Sequence, residues 1–242
     1  MSVGFDEYAK NYDAALDQGL SATGEGKDYF ARHRVVWLSR CLQRLSVRPE
    51  RIMDYGCGTG SATNFLFELL QPDCVLGVDT SERSLELARQ SLGGMRSQFL
   101  LNTDYKPDGE IDLAYCNGVF HHIPPDDRDR ELDYVRRSLR PGGVFAFWEN
   151  NPWNPGTRYV MSRIPFDRDA VTIAPTEART LLRKNGFRIL RTDFLFFFPN
   201  FLKSLRWMEP LLSGVPLGGQ YQIMCQRPEE RTGNSAEQIE KI

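Results

Sequence analysis

The stretch 52–63, IMDYGCGTGSAT, constrains the fold more than any other part of this chain. An apolar run that reads as a buried strand reaches Asp54, glycines follow at 56, 58 and 60, and a helix-forming segment takes over from 61. Glycines admit positive φ and close approach of a ligand to the backbone, and the helix N-terminus behind them offers unpaired N–H groups. Strand, glycine turn and helix in that order open a parallel α/β sheet.

The residues downstream repeat that texture. Short apolar runs at 52–55, 75–78, 98–101, 111–116 and 144–148 read as strands, with helices between them at 61–70, 84–91 and 129–139. Each run closes on Gly, Asp or Asn and gathers polar groups at the strand's C-terminal end, where open α/β sheets hold ligands. The first 46 residues read as helices, with Phe30, Val35, Leu38, Leu42 and Leu45 recurring at three- and four-residue steps. Toward the C-terminus, Thr176 is the expected N-cap of a helix over 176–185 stopped by Gly186. An aromatic strand over 187–198, an amphipathic helix over 200–212 and a last strand over 220–226 follow. The stripe Phe201, Leu205, Met208 and Leu212 fits core or lid packing, with a dimer contact and an interfacial helix at a membrane as alternatives. The expected division is a helical cap over 1–46, a core over 47–227 with an insert around 199–218, and a flexible tail over 228–242.

Hydrophobic residues at 41% and charged residues at 26% are those of an ordinary globular chain. Thirty basic against 32 acidic residues leave a net charge of −2, which gives no global field for a nucleic-acid partner. No apolar run approaches the ~18–20 residues that span a bilayer, so stable membrane insertion is not expected. The start, MSVGFDEYAKNYD, lacks the order of a signal peptide, and a cytoplasmic location is the expectation. Five scattered cysteines without a CxxC pair, and only three histidines, read as reduced thiols and no zinc site. Residues 158–209 nevertheless carry ten Arg or Lys against five Asp or Glu. Arg158, Arg163 and Arg168 at this edge make an anionic small molecule a candidate substrate, beside the plainer reading of a solvated basic face.

Glycine spacing narrows the ligand. A dinucleotide fingerprint wants its third glycine one place later, where Ser61 stands. The order here is D-x-G-x-G-x-G, and an acid at 54 suits a cationic or amine-bearing ligand better than a pyrophosphate. The next strand, VLGVD, ends at Asp79, 23 residues after Gly56, where it can accept from both ribose hydroxyls; Thr80 and Ser81 then cap a helix.

DYGCGTG, Asp79, DLAYCNGVFHHIP and SLRPGGVFAF, in that order, resemble the class I methyltransferases that use S-adenosylmethionine, strongly over 51–143 and loosely over 8–227. The resemblance implies a Rossmann-like, doubly wound, mostly parallel seven-stranded α/β sheet with an N-terminal helical cap, and S-adenosylmethionine as cofactor. It places Asp54, Gly56, Cys57, Gly58 and Gly60 against the methionine part and Asp79, with Thr80 beside it, against the ribose. Thr103 or Asp104 falls near the adenine edge, although only seven residues separate Asp104 from Asp112, fewer than the family usually has. Asn117 would present its carbonyl to the cofactor's amino group, with Val119 and Phe120 nearby. FDEYAKNYD looks like the cap of small-molecule members, so Tyr8, Tyr12 and Tyr29 either close a lid or merely anchor cap helices. Arg34 is placed to pair with the cofactor carboxylate.

Methyl transfer asks a protein for alignment and, for some acceptors, removal of a proton. His121 and His122 are the candidate catalytic bases, against the alternative that one of them holds its loop. Glu149, with Asn150 and Asn151, is the second candidate, and Trp148 and Trp153 are candidate walls. No grouped Asp, Asp and Asn is visible, so no metal and no sensitivity to chelators is expected. The function expected is transfer to an oxygen, or less readily a nitrogen, of a small molecule in natural-product or surface-sugar biosynthesis, by a monomer or homodimer. The alternatives are an RNA or protein methyltransferase and a catalytically silent partner subunit. Against the macromolecular substrates stands Asn117-Gly118-Val119-Phe120, where the amino-methylating motif Asn/Asp-Pro-Pro-Tyr would be.

Overall fold

The computed structural model describes residues 12–94, 96–167 and 170–229. Seven strands form one sheet in the order β3-β2-β1-β4-β5-β7-β6. They are β1 (Arg51–Tyr55), β2 (Cys74–Asp79), β3 (Ser97–Leu101), β4 (Ile111–Asn117), β5 (Leu139–Asn150), β6 (Arg188–Leu195) and β7 (Gln220–Gln226). The first five run parallel, while β7 lies antiparallel between β5 and β6. The strand order reverses between β1 and β4, which opens a crevice at their C-terminal ends.

The helices are α1 (Tyr12–Leu20), α2 (Lys27–Arg44), α3 (Thr63–Leu70), α4 (Glu82–Leu92), α5 (Arg128–Ser138), α6 (Pro155–Arg163), α7 (Pro175–Lys184) and the short α8 (Glu209–Leu212). Neighbouring strand residues alternate between two cores. Ile52, Leu113, Tyr115, Ala146 and Trp148 pack under α2 and α3, whereas Met53, Ala114, Cys116, Phe145 and Phe147 pack under α5 and α7. Covering both faces makes the strands read as continuous apolar runs rather than alternating ones. The expected cap therefore has two parts. α2 is a layer helix, with Val35, Leu38, Cys41 and Leu42 almost fully buried against the sheet, while α1 and the turn after it line a cavity.

Three local expectations are corrected. α7 starts at Pro175 behind Ala174 without a side-chain cap, because proline's fixed φ and missing N–H suit the first helical position; Thr176 lies inside the helix. The aromatic strand stops at Leu195, since Phe196 turns at φ +63°. Residues Asn200–Met208 form a kinked 3-10 helix, not an α-helix. Of the anticipated stripe Phe201 is 79% exposed, Leu205 is 37% exposed and Met208 and Leu212 are half-buried, so this face is not part of the core. Among the described residues no helix is long and apolar enough to cross a membrane. Most of the tail, residues 230–242, lies outside the described residues, as does Tyr8.

Candidate active site

The glycine turn and the crevice share a cavity of about 470 Å³. On one side it is lined by Asp54, Gly56, Cys57, Gly58 and Asn117; the cap contributes Leu16, Tyr29, Phe30 and Arg34; the far end holds His121, His122, Phe166 and Asp167. Gly56 has φ +72°, and a Cβ there would stand 2.3 Å from Cγ2 of Val119, so only glycine lets the loop sit on the end of β4. Gly58, at φ +53°, has nothing within 4 Å of its Cβ position and forms the open floor. Val119 and Gly60 support this loop from outside the lining. Asp79 shapes it as well: its carboxylate accepts from Gly58 N at 2.8 Å and from Ser81 N at 2.9 Å.

Asp54 is 3% exposed, and burial, then the Asp79 carboxylate, push it up to about 7 against the pull of Arg34. Arg34 is itself buried, with its Nε donating to Tyr115 Oη at 3.2 Å and its Nη1 to Gln220 Oε1 at 3.0 Å. Gln220 continues the chain by donating to Asn150 Oδ1, which ties α2 to β7 and β5 across the cavity. Burial raises the Tyr29 phenol to about 12, and Arg206 stacks 4.5 Å over its ring while pairing with Glu25 at 2.8 Å.

At the far end, His121 and His122 occupy the 3-10 turn Phe120–His122 that follows β4. Glu149 Oε1 accepts from Phe120 N at 2.8 Å, and its Oε2 lies 2.5 Å from His121 Nδ1. The Nε2 atoms of His121 and His122 lie 3.5 and 3.3 Å from the same Asp167 oxygen. Burial alone would lower His121, but the Glu149 and Asp167 carboxylates hold it up at about 10. Burial and the neighbouring His121 lower His122. Both ring nitrogens of His121 are thus engaged by carboxylates, unlike the free base expected, and Glu149 is sealed at 1% exposure behind it instead of facing substrate.

Other expectations are redistributed. Thr103 and Asp104 are exposed, and they, Asp79 and Thr80 stand outside the cavity lining. Trp148 is fully buried in the core and Trp153 is 44% exposed, so neither is a wall. Asn151 clamps the Pro216 and Gly218 carbonyls, and only Asn150 of that pair reaches the cavity. Arg158 and Arg163 are exposed and outside the lining, while Arg168 and the Tyr12 side chain lie outside the described residues. Asp167, Tyr115, Gln220 and Arg206 were not visible as site residues. Asp167 comes from an irregular proline-flanked stretch and Arg206 from a kinked helix, and neither carries a periodic signal.

Comparison with known proteins accords with this geometry. A methyltransferase domain family matches residues 53–145. Trans-aconitate 2-methyltransferase of Rhodopseudomonas palustris (strain BisB5) is 28% identical over 57% of this chain and 54% of its own. That of Rhizobium leguminosarum bv. trifolii is 36% identical over 40% of this chain and 37% of its own. The chain thus spans about half the length, or less, of the curated relatives it matches. An S-adenosylmethionine-dependent methyltransferase of Thermotoga maritima superposes with a TM-score of 0.62 at 20% identity, over 92% of this chain and 97% of its own. The methyltransferase in complex with the Trm112 methyltransferase activator of Haloferax volcanii gives 0.63 at 18%, over 94% and 97%. Residues 53–145 thus match a methyltransferase domain, and the chain shares the fold of these solved methyltransferases.

S-adenosylmethionine fits the groups present. Asn117 Oδ1 is buried without a partner at the cavity wall, Gly58 leaves an open cradle, and Asp54 is a buried carboxyl awaiting a cation. Arg34, whose hydrogen-bond partners are neutral, would receive the carboxylate end. When bound, this cofactor supplies an electrophilic methyl group on sulfur. Arg34→Met is expected to raise its Kd tenfold to a hundredfold, a charged hydrogen bond being worth about 1.5–3 kcal/mol. Calorimetric titration checks this, and an unchanged Kd removes Arg34 from the site.

Proposed function

We propose that this protein transfers the methyl group of S-adenosylmethionine to an oxygen of a small anionic molecule, most simply a carboxylate. The observation that carries the reading is one continuous cavity lined by the glycine loop and Asp54, by the basic side chains of Lys27 and Arg206, and by the His121–Asp167 cluster. Leu16, Leu20, Ala22 and Thr23 of the N-terminal segment line the same space. A carboxylate arrives ionised near neutral pH, so the protein need only align it. That suits a site whose histidines are already engaged with Asp167. The relatives named trans-aconitate 2-methyltransferase support the same acceptor class.

The test incubates the full chain with labelled methyl donor and a panel of di- and tricarboxylates, phenols, sugars and amines. Expected is a labelled ester from a carboxylate acceptor, released as methanol by alkali. Label that enters only amines, or no acceptor at all, would overturn the reading.

A further inference from the structure

The cluster at the far end of the cavity has a geometry that proton transfer does not require. Two imidazole Nε2 atoms converge on one carboxylate oxygen, at 3.3 and 3.5 Å, and the three donor atoms all lie within 4.8 Å of one another. An ion bound at about 2.0–2.2 Å by nitrogen and oxygen ligands sets neighbouring donors roughly 2.9–3.5 Å apart, at octahedral to tetrahedral angles. Both His–Asp167 separations fall inside that window, and the remaining pair lies within 4.8 Å.

The surroundings match a metal site at the next layer too. A metal-bound histidine commonly donates its other ring N–H to a carboxylate, which fixes the tautomer and turns the second nitrogen toward the ion. Glu149 does this for His121 at 2.5 Å, and is itself oriented by the Phe120 N–H on the same turn. Charge points the same way. Glu149 and Asp167 are both buried, and among the described residues neither has an arginine or lysine within ion-pair distance. With both imidazoles neutral, as metal ligation requires, the two carboxylates leave a charge of −2, which a divalent cation cancels.

We propose that His121, His122 and Asp167 bind one divalent first-row transition ion, with Glu149 as a positioning residue, and that the ion holds the anionic acceptor at this end of the cavity. Two imidazoles and one carboxylate suit zinc, iron or nickel better than magnesium or calcium. All three ligands line the cavity, so the remaining coordination positions open toward it and can take a carboxylate or hydroxyl oxygen. The site itself does not depend on methyl transfer; its role in holding the acceptor rests on the function proposed above.

The experiment dialyses the full chain against chelator and titrates it with Zn²⁺, then Co²⁺, reading metal per chain by mass spectrometry and Co²⁺ coordination by visible absorption. One equivalent is expected in the native chain. Near-isosteric Asp167→Asn and the double variant His121→Ala/His122→Ala should lose it, and Glu149→Gln should weaken it tenfold to a hundredfold. Circular dichroism and S-adenosylmethionine titration of each variant report whether the fold and the cofactor half survive. If a ligand variant fails to fold, absence of a bound equivalent in the native chain still decides. No stoichiometric metal in the native chain, or equal binding by folded Asp167→Asn, overturns the proposal. Because the metal assay contains neither donor nor acceptor, failure of methyl transfer cannot be mistaken for failure of the site.

Discussion

Asp54→Asn should stabilise the ligand-free protein at pH 8 and cripple its hold on S-adenosylmethionine. In the folded chain burial, helped by Asp79, lifts this carboxyl from 3.8 to about 7. A raised acid means that the folded state binds the proton more tightly than the unfolded chain does. Stability is then fully present below about pH 4 and drains away as pH rises to about 7, by up to about 4 kcal/mol at ~1.4 kcal/mol per unit. Asparagine keeps the shape without the charge, so denaturation curves of the two proteins should converge near pH 4 and diverge toward pH 8. Cofactor binding should show the opposite preference. A cationic ligand stabilises ionised Asp54, so native binding at pH 6 should release a proton to buffer, and the asparagine variant should release less and bind at least tenfold more weakly. Parallel pH profiles for the two chains would show that Asp54 is not the strained group described here.

The second large effect separates two glycines only two positions apart. Gly56→Ala forces a positive φ on a residue with a Cβ and drives that Cβ to 2.3 Å from Val119. The left-handed conformation costs about 1–2 kcal/mol and overpacking about 1–3 kcal/mol, so a loss of roughly 2–5 kcal/mol is expected. Val119 begins the turn that carries His121 and His122, and its displacement should disturb both ends of the cavity. Gly58→Ala has the same backbone problem but open space around the new methyl. It should lose only about 1–2 kcal/mol of stability while weakening cofactor binding as strongly, because the methyl occupies the cradle. Urea denaturation and calorimetry on both variants decide the matter. Equal destabilisation would mean that Val119 yields and that the close approach does not hold the loop to β4.

The parallel sheet was legible because its signals are local. A strand buried on both faces must be apolar throughout, a chain crossing a ligand at a helix start needs glycine, and both constraints act on consecutive residues such as 52–60. The strands expected at 52–55, 75–78, 98–101 and 111–116 lie within β1 to β4 of the structure for the same reason. Asp54 and Gly58 were found as cavity residues by that logic, and Asn117, Arg34 and Tyr29 by resemblance. Local pattern misled where a competing local geometry won, as at Pro175 and along the 3-10 stretch after Pro199.

What this sequence determined by itself is the donor half of the protein: the sheet, the glycine loop and the acids at its strand ends, all encoded within single turns of chain. What only the tertiary structure decided is the acceptor half. Asp167 meets His121 across 46 residues, Glu149 meets it across 28, and Gln220 meets Arg34 across 186. Such contacts are set by how the segments after β5 fold back over the sheet, a matter of packing and loop closure that leaves no period or spacing along the chain.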